Sequence, residues 1–301
     1  MEVIFTIATA AVSTFGPMRS TPCGVRPAAC VRLAPAGAEV RFADEGFALH
    51  HANGTVEAVA VPEVCHQFAA SNSAIDRGSS AASSIPDGWI QSAGAYQMDM
   101  QNTIASFRGR WTVPPIPTSP QRPETLYYFI GLEDRTQGKL TTIHQPVLTW
   151  GDQTEGGLFN DSWHLWSWTC CPKNLTWHSP DIAGFAPGAT IYGDIAKVGD
   201  ATWRIDGAWA AADGSGWKNT TLVSQVGGFD YNYADITLEV YNLTSCAQMS
   251  TGEVEFSHLE LTTKDGKRWT PTTWYPAGLT NTCDVKMKIE SASAMSISTG
   301  E

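Results

Sequence analysis

Two segments with β alternation carry side chains that could act together on a substrate. The first is Ile143-His144-Gln145-Pro146-Val147-Leu148. Alternation puts Ile143, Gln145, Val147 and Thr149 on one face, and His144, Pro146, Leu148 and Trp150 on the other. An amide in mid-strand must find partners or it costs free energy. Gln145 is therefore either a satisfied structural group or one kept to hold a ligand. The second segment runs from Ala234 to Asn242. Ile236, Leu238 and Val240 form its apolar face, and Asp235, Thr237, Glu239 and Tyr241 its polar one. Glu239 thus lines a sheet surface that is either solvent or a cleft. A third segment, Ser162 to Thr169, carries Trp163, Trp166 and Trp168, the last two on one face. Such a row is either core or the wall of a groove for peptide or sugar.

Other chemistries lack their signatures. The chain has no G-x-S-x-G elbow, no H-E-x-x-H, no phosphate-binding loop and no dinucleotide fingerprint. Its seven His are scattered, an arrangement that leaves a Ser-His-Asp triad open. Seven Cys include no C-x-x-C pair, and no His pair has ligand spacing on a helix, so a zinc site is not expected. Adjacent Cys170 and Cys171 are poor partners for each other, and either could bridge to Cys246 or Cys283; connectivity is not readable from sequence. Lys+Arg is 19 against Asp+Glu 30, a net charge of -11. That balance speaks against nucleic acid and against an anionic membrane surface. No apolar run is long enough to cross a bilayer as a helix.

The elements that must position these residues are strands. Candidates are 105–113, 125–132, 141–150, 162–169, 190–198, 202–210, 217–226, 234–243, 253–262 and 284–291, punctuated by Gly, Pro and Asp. Ten short strands with almost no helical periodicity predict an all-β sandwich or jelly roll. Residues 71–84 are Ser/Ala-rich and read as a linker. This divides the chain into a possible signal segment (1–20), an N-terminal region with two short strands (21–84) and a denser β domain (85–301). Val3 to Val12 has the apolarity of a signal h-region but no basic residue before it. Five of nine Asn lie in sequons: Asn53, Asn160, Asn174, Asn219 and Asn242. That excess points to a secreted, extracellular glycoprotein.

In this order the segments resemble the glutamic peptidases called eqolisins. Gly88-Trp89 with Ala93-Gly94-Ala95 is similar to the family's opening Trp-Ala-Gly segment. Phe107 to Pro114 resembles its strand ending T-V-P. Phe129-Ile130-Gly131-Leu132-Glu133 is similar to W-V-G-I-D, and Ile143-His144-Gln145 to I-L-Q. Leu165-Trp166-Ser167-Trp168 is similar to W-Y-E-W, Gly193-Asp194-Ile195 to G-D-x-I, and Ile236 to Glu239 to W-I-V-E. The resemblance implies a lectin-like jelly-roll β-sandwich of two curved antiparallel sheets around a substrate groove. It implies an acid endopeptidase needing no metal or cofactor, acting on protein or peptide as a monomer, and made with a removable N-terminal prosegment. Gln145 and Glu239 would be the catalytic pair, about 3–6 Å apart, with Glu239 as general base and then acid and Gln145 holding water and oxyanion. Trp89, Phe129, Glu133, Trp166 and Trp168 would contact substrate.

Three positions depart from the family. Thr149 and Ser167 stand where it has acids, which would lower the pKa of Glu239 toward its ordinary value. Pro146 lacks a ladder donor and suggests an edge strand or bulge. Two other readings remain. One is a catalytically silent carbohydrate- or peptide-binding jelly roll. The other is a glycoside hydrolase or lyase pairing Glu239 with Glu133 or Asp134.

Overall fold

The computed structural model describes residues 15–71, 85–121, 123–136, 142–151, 161–211, 213–225, 229–278 and 282–300. The Val3–Val12 run, most of the Ser/Ala-rich stretch and Asn160 lie outside them. The chain opens with β1 (Met18–Thr21), β2 (Gly24–Pro27), β3 (Val31–Leu33), β4 (Glu39–Ala43), β5 (Gly46–His50) and β6 (Val56–Ala60). A nine-residue helix, α1 (Glu63–Ser71), follows. Next come β7 (Gly88–Tyr96), β8 (Ile104–Thr112), β9 (Thr125–Asp134), β10 (Thr142–Trp150), β11 (Trp163–Cys170), β12 (Thr176–His178) and β13 (Ile182–Ala183). The last group is β14 (Thr190–Lys197), β15 (Thr202–Ala210), β16 (Trp217–Gln225), β17 (Tyr233–Tyr241), β18 (Gly252–Thr263), β19 (Arg268–Trp269), β20 (Tyr275–Gly278), β21 (Lys286–Ser291) and β22 (Ala294–Thr299).

Two sheets face each other. The first runs β20-β7-β17-β9-β10-β11-β12-β3, with β13 beside β11. The second runs β21-β22-β18-β8-β14-β15-β16-β4-β5-β6, with β19 beside β18. Leu126, Tyr128, Ile130, Leu132, Leu148 and Leu165 of the first sheet pack on Phe107, Ile191, Ile195, Ile205 and Leu222 of the second. This is the expected all-β sandwich.

The N-terminal strands belong to it. β3 lies parallel to β12 in one sheet, and β4 lies parallel to β16 in the other. The boundary near residue 85 is therefore not a division in the packing. Three disulfides close the chain: Cys23–Cys170, Cys30–Cys65 and Cys246–Cys283. Cys170 thus bridges to the N-terminal hairpin and not to Cys246 or Cys283, while Cys171 keeps a free thiol. Pro146 also departs from expectation. Its strand, β10, is central, flanked by β9 and β11. The missing donor is accommodated by a gap in the β9 pairing between His144–Leu132 and Val147–Phe129.

Glycines on the inner side of the second sheet make room for the first. A Cβ on Gly193 would lie 2.7 Å from Pro146 Cγ and 2.9 Å from Trp111 Cζ3. Both obstacles are buried ring systems without freedom to move aside. Gly193→Ala should therefore destabilise the protein by about 1–3 kcal/mol, read as a lowered urea midpoint at unchanged slope. An unchanged midpoint would mean that the sheets are not held this close.

Candidate active site

The outward face of the first sheet is organised in rows across β17, β9, β10 and β11. One row holds Tyr233, Glu133, Ile143 and Cys170. The next holds Asp235, Gly131, Gln145 and Trp168, with Gln145 falling opposite Gly131 between the pairs His144–Leu132 and Val147–Phe129. A third holds Thr237, Phe129, Val147 and Trp166, and a fourth Glu239, Tyr127, Thr149 and His164. Trp89 on β7 stands beside Glu239.

Gln145 and Glu239 therefore share a face but do not form a pair. They lie two strands and four residues apart, a Cα separation of about 16 Å at ordinary strand spacings. Their side chains also point to different partners. Gln145 Nε2 donates to Pro22 O at 2.8 Å and to Cys170 Sγ at 3.5 Å. Glu239 Oε1 accepts from the Tyr241 hydroxyl. The expected 3–6 Å contact is absent because alternation selects a face, not a row.

The carboxyl group in the row of Gln145 is that of Asp235. Between them sits Gly131, where an added Cβ would run into Asp235 Oδ1. The Asp235 carboxyl therefore lies over the glycine, which is the neighbour of Gln145 in the row. Thr237 Oγ1 donates to Asp235 Oδ2 at 2.7 Å. Glu133, one row on, is ion-paired with Arg135 and is adjacent to Asp235. Burial first, and then the neighbouring Glu133 carboxyl, push the Asp235 carboxyl well above the ordinary carboxylate range. Gln145 Oε1 is buried and has no hydrogen-bond partner among the described residues.

The other predicted residues sort by side. Phe129, Trp166 and Trp168 are buried on the groove face, in one cluster with Tyr127, Ile143, Val147 and Tyr241. Trp89 packs edge-on to Phe129, ring centroids 5.9 Å apart. They do not belong to the inter-sheet core. Ser167 is not in the groove. Its Oγ donates to Thr220 O of the second sheet at 3.3 Å, so the expectation that it stands for a missing acid beside Glu239 fails on strand parity. Thr149 does face outward, in the row of Glu239. Asp134 lies on the opposite side of β9 from Glu133, accepting from Thr136 N at 2.9 Å. The glycosidase geometry also fails. Glu133 and Glu239 lie on neighbouring strands six residues apart along β17, about 20 Å against the 5–9.5 Å such pairs need. His144 is an inter-sheet residue bound to Tyr231 and Thr169, and burial lowers its pKa to about 3.

No pattern in the sequence signals what covers the groove, nor one further cluster. The β1–β2 hairpin lies over it: Cys23 is bonded to Cys170 beside Gln145, and Pro22 O accepts from Gln145. The Arg19 guanidinium sits 5.7 Å from the Trp166 ring centroid and 5.8 Å from that of Trp168. Asn242 Nδ2 donates to Ser20 Oγ at 3.3 Å. At the far end of the groove, Ser162 Oγ meets His164 Nε2 at 2.8 Å, and His164 Nδ1 meets Asp181 Oδ2 at 2.7 Å.

No protein-family model matches the chain, and no curated protein does. Solved structures of a glutamic peptidase share its fold. Scytalido-glutamic peptidase with a peptide-based transition-state analogue is 14% identical at a TM-score of 0.52, covering 72% of this chain and 100% of that one. The same peptidase with a transition-state-analogue inhibitor is 12% identical at a TM-score of 0.50, with 72% and 100% covered. The β-sandwich described above is thus the one that scytalido-glutamic peptidase adopts.

The raised carboxyl of Asp235 has a measurable consequence. A group protonated in the folded state contributes stability in full below its unfolded pKa, about 4, and loses it as pH rises through the folded value. Asp235→Asn mimics the neutral form. Its stability relative to wild type should therefore grow by up to about 1.4 kcal/mol per pH unit from pH 4 upward until the folded pKa is passed. Urea titrations from pH 3 to 7 read this slope. Parallel curves would mean that Asp235 is ionised in the folded protein.

Proposed function

We propose that the chain is a latent acid endopeptidase whose reacting groups are Gln145 and Asp235. One observation carries the proposal. Gln145 Nε2 already donates to a peptide carbonyl lying in the groove, that of Pro22, with Asp235 facing it across a position that has no side chain. A substrate carbonyl held in that place would be polarised by the amide. Ionised Asp235 takes a proton from a water whose oxygen attacks the carbonyl carbon. Gln145 N–H stabilises the oxyanion. Asp235 then passes the proton to the leaving nitrogen as the C–N bond breaks, giving a carboxylic acid and an amine. Burial, and then Glu133, raise the Asp235 carboxyl above the ordinary carboxylate range, which favours its holding the proton it must pass on as acid.

The likeness to a peptidase that holds peptide-based analogues supports a peptide substrate here. Three disulfides, with the sequons, support a secreted protein. Latency follows from the cover. Cleavage within 72–84 would leave the hairpin tethered through Cys23–Cys170, so opening the groove needs that bond broken as well.

A second reading rests on Ser162, His164 and Asp181. The Asp181 carboxylate on Nδ1 leaves Nε2 of His164 as the acceptor for the Ser162 hydroxyl, the polarity of a serine hydrolase. The two are separable with the full chain carrying Cys23→Ser, which frees the hairpin. In that background an unfolded protein substrate at pH 3–6 should be cleaved. Gln145→Glu and Asp235→Asn should each lower the rate about 10²-fold or more, while Glu239→Gln and Ser162→Ala keep most of it. Loss through Ser162→Ala, with labelling by a fluorophosphonate, would transfer the activity to the serine. Loss through Glu239→Gln alone would restore Glu239 as the acid. A Cys23→Ser protein that binds peptide without cleaving it would be the silent binding module.

A further inference from the structure

A second groove lies on the outer face of the other sheet, away from Gln145. Gly109, Gly193 and Gly207 stand in one row across β8, β14 and β15. The space their side chains would fill on the inner side is taken by Trp111, Pro146, Leu165 and Leu259. On the outer side is a crease of about 540 Å³. One wall carries Tyr192 and Trp217, ring centroids 5.3 Å apart, and Trp217 is 63% exposed. A large aromatic ring left in solvent beside a second one is the kind of surface that a ligand covers.

Asn219 stands in the same crease. It follows Trp217 by two residues on β16 and so shares its face. It lies in one row with Tyr192, separated from it only by Ala208. Asn219-Thr220-Thr221 is a sequon. The Asn219 amide is exposed and makes no side-chain hydrogen bond among the described residues. The Asn242 amide, by contrast, donates to Ser20 Oγ and to Pro123 O, both at 3.3 Å. Beyond the aromatic pair the crease continues past Asp206, Arg108 and Glu260, groups suited to sugar hydroxyls.

We propose that Asn219 carries an N-linked glycan whose first N-acetylglucosamine residues pack in this crease against Trp217 and Tyr192. On the secretory route the Asn219 amide nitrogen displaces the pyrophosphate of a lipid-linked oligosaccharide at the anomeric carbon and loses one proton. The sugar is then tethered at the mouth of its own site. Docking becomes intramolecular, and a weak stacking contact suffices to hold it. The pyranose ring presents apolar C–H groups to the two aromatic faces, and the rim charges meet the hydroxyls of the sugars that follow. The glycan would thus act as a covering strap on β16 where β4 does not pair with it, since that pairing is confined to Val223–Gln225. The proposal rests on secretion and not on the catalytic reading, so either can fail alone.

The test is a double-mutant cycle on the full chain secreted from a glycosylating eukaryotic host. The four proteins are wild type, Asn219→Gln, Trp217→Ala and the double variant. Peptide mass spectrometry reports occupancy of Asn219, and thermal unfolding reports the contact. Asn219 should be modified, and Asn219→Gln should lower the melting temperature by about 2–4 °C. In the Trp217→Ala background the same change should lower it by less than half as much. An unmodified Asn219 overturns the proposal. So does an equal shift in both backgrounds, which would make the glycan a solvent-borne decoration. Binding of free chitobiose or of a peptide by the wild-type crease would assign it to an outside ligand and overturn the proposal as well.

Discussion

Everything in the groove depends on residue 131 having no side chain. β9 runs between the strands that carry Gln145 and Asp235, and any Cβ there would strike the Asp235 carboxyl. Glycine leaves no side chain between an acid and an amide that stand in one row two strands apart. The same sparing of side chains recurs in the second sheet, where Gly109, Gly193 and Gly207 admit Trp111, Pro146, Leu165 and Leu259. The sandwich thus uses glycines for close approach at positions of negative φ, and not only for turns.

The second constraint is electrostatic. Asp235 and Glu133 are both buried, with Arg135 against Glu133. Two carboxyls taken out of water beside a single guanidinium favour holding one proton; burial raises the Asp235 pKa most, and with Arg135 paired to Glu133 the proton rests on Asp235. The covering hairpin acts on the amide: by offering Pro22 O it gives Gln145 a partner in place of substrate. Arg19 over Trp166 and Trp168 covers aromatic area that would otherwise face solvent.

Much of the fold is legible in the sequence, because alternation is a local property. Strand 202–210 is read to the residue, and the faces of β10 and β17 are read correctly. β7, Gly88–Tyr96, is poor in β-branched residues and shows as a strand only through its neighbours. The nine residues of α1 are too few to display a period. The pairing of Gln145 is what alternation does not contain. Asp235 and Glu239 share a face four residues apart, and only the register with β9 decides which one falls in the row of Gln145. The side of Ser167 is legible in alternation, since its parity opposes that of Trp166 and Trp168; only the family resemblance put it beside Glu239. The Cys23–Cys170 bridge, 147 residues apart, has no local signal at all.

A bound analogue would show most directly which carboxyl works with Gln145. A crystal structure of the Cys23→Ser protein with a peptide carrying a statine-type hydroxyl would show where a tetrahedral centre is held. The hydroxyl should lie within hydrogen-bond distance of both Gln145 Nε2 and the Asp235 carboxyl, above Gly131, in the place that Pro22 O otherwise occupies. A hydroxyl seated at Glu239 and Tyr241, two rows away, would contradict the account.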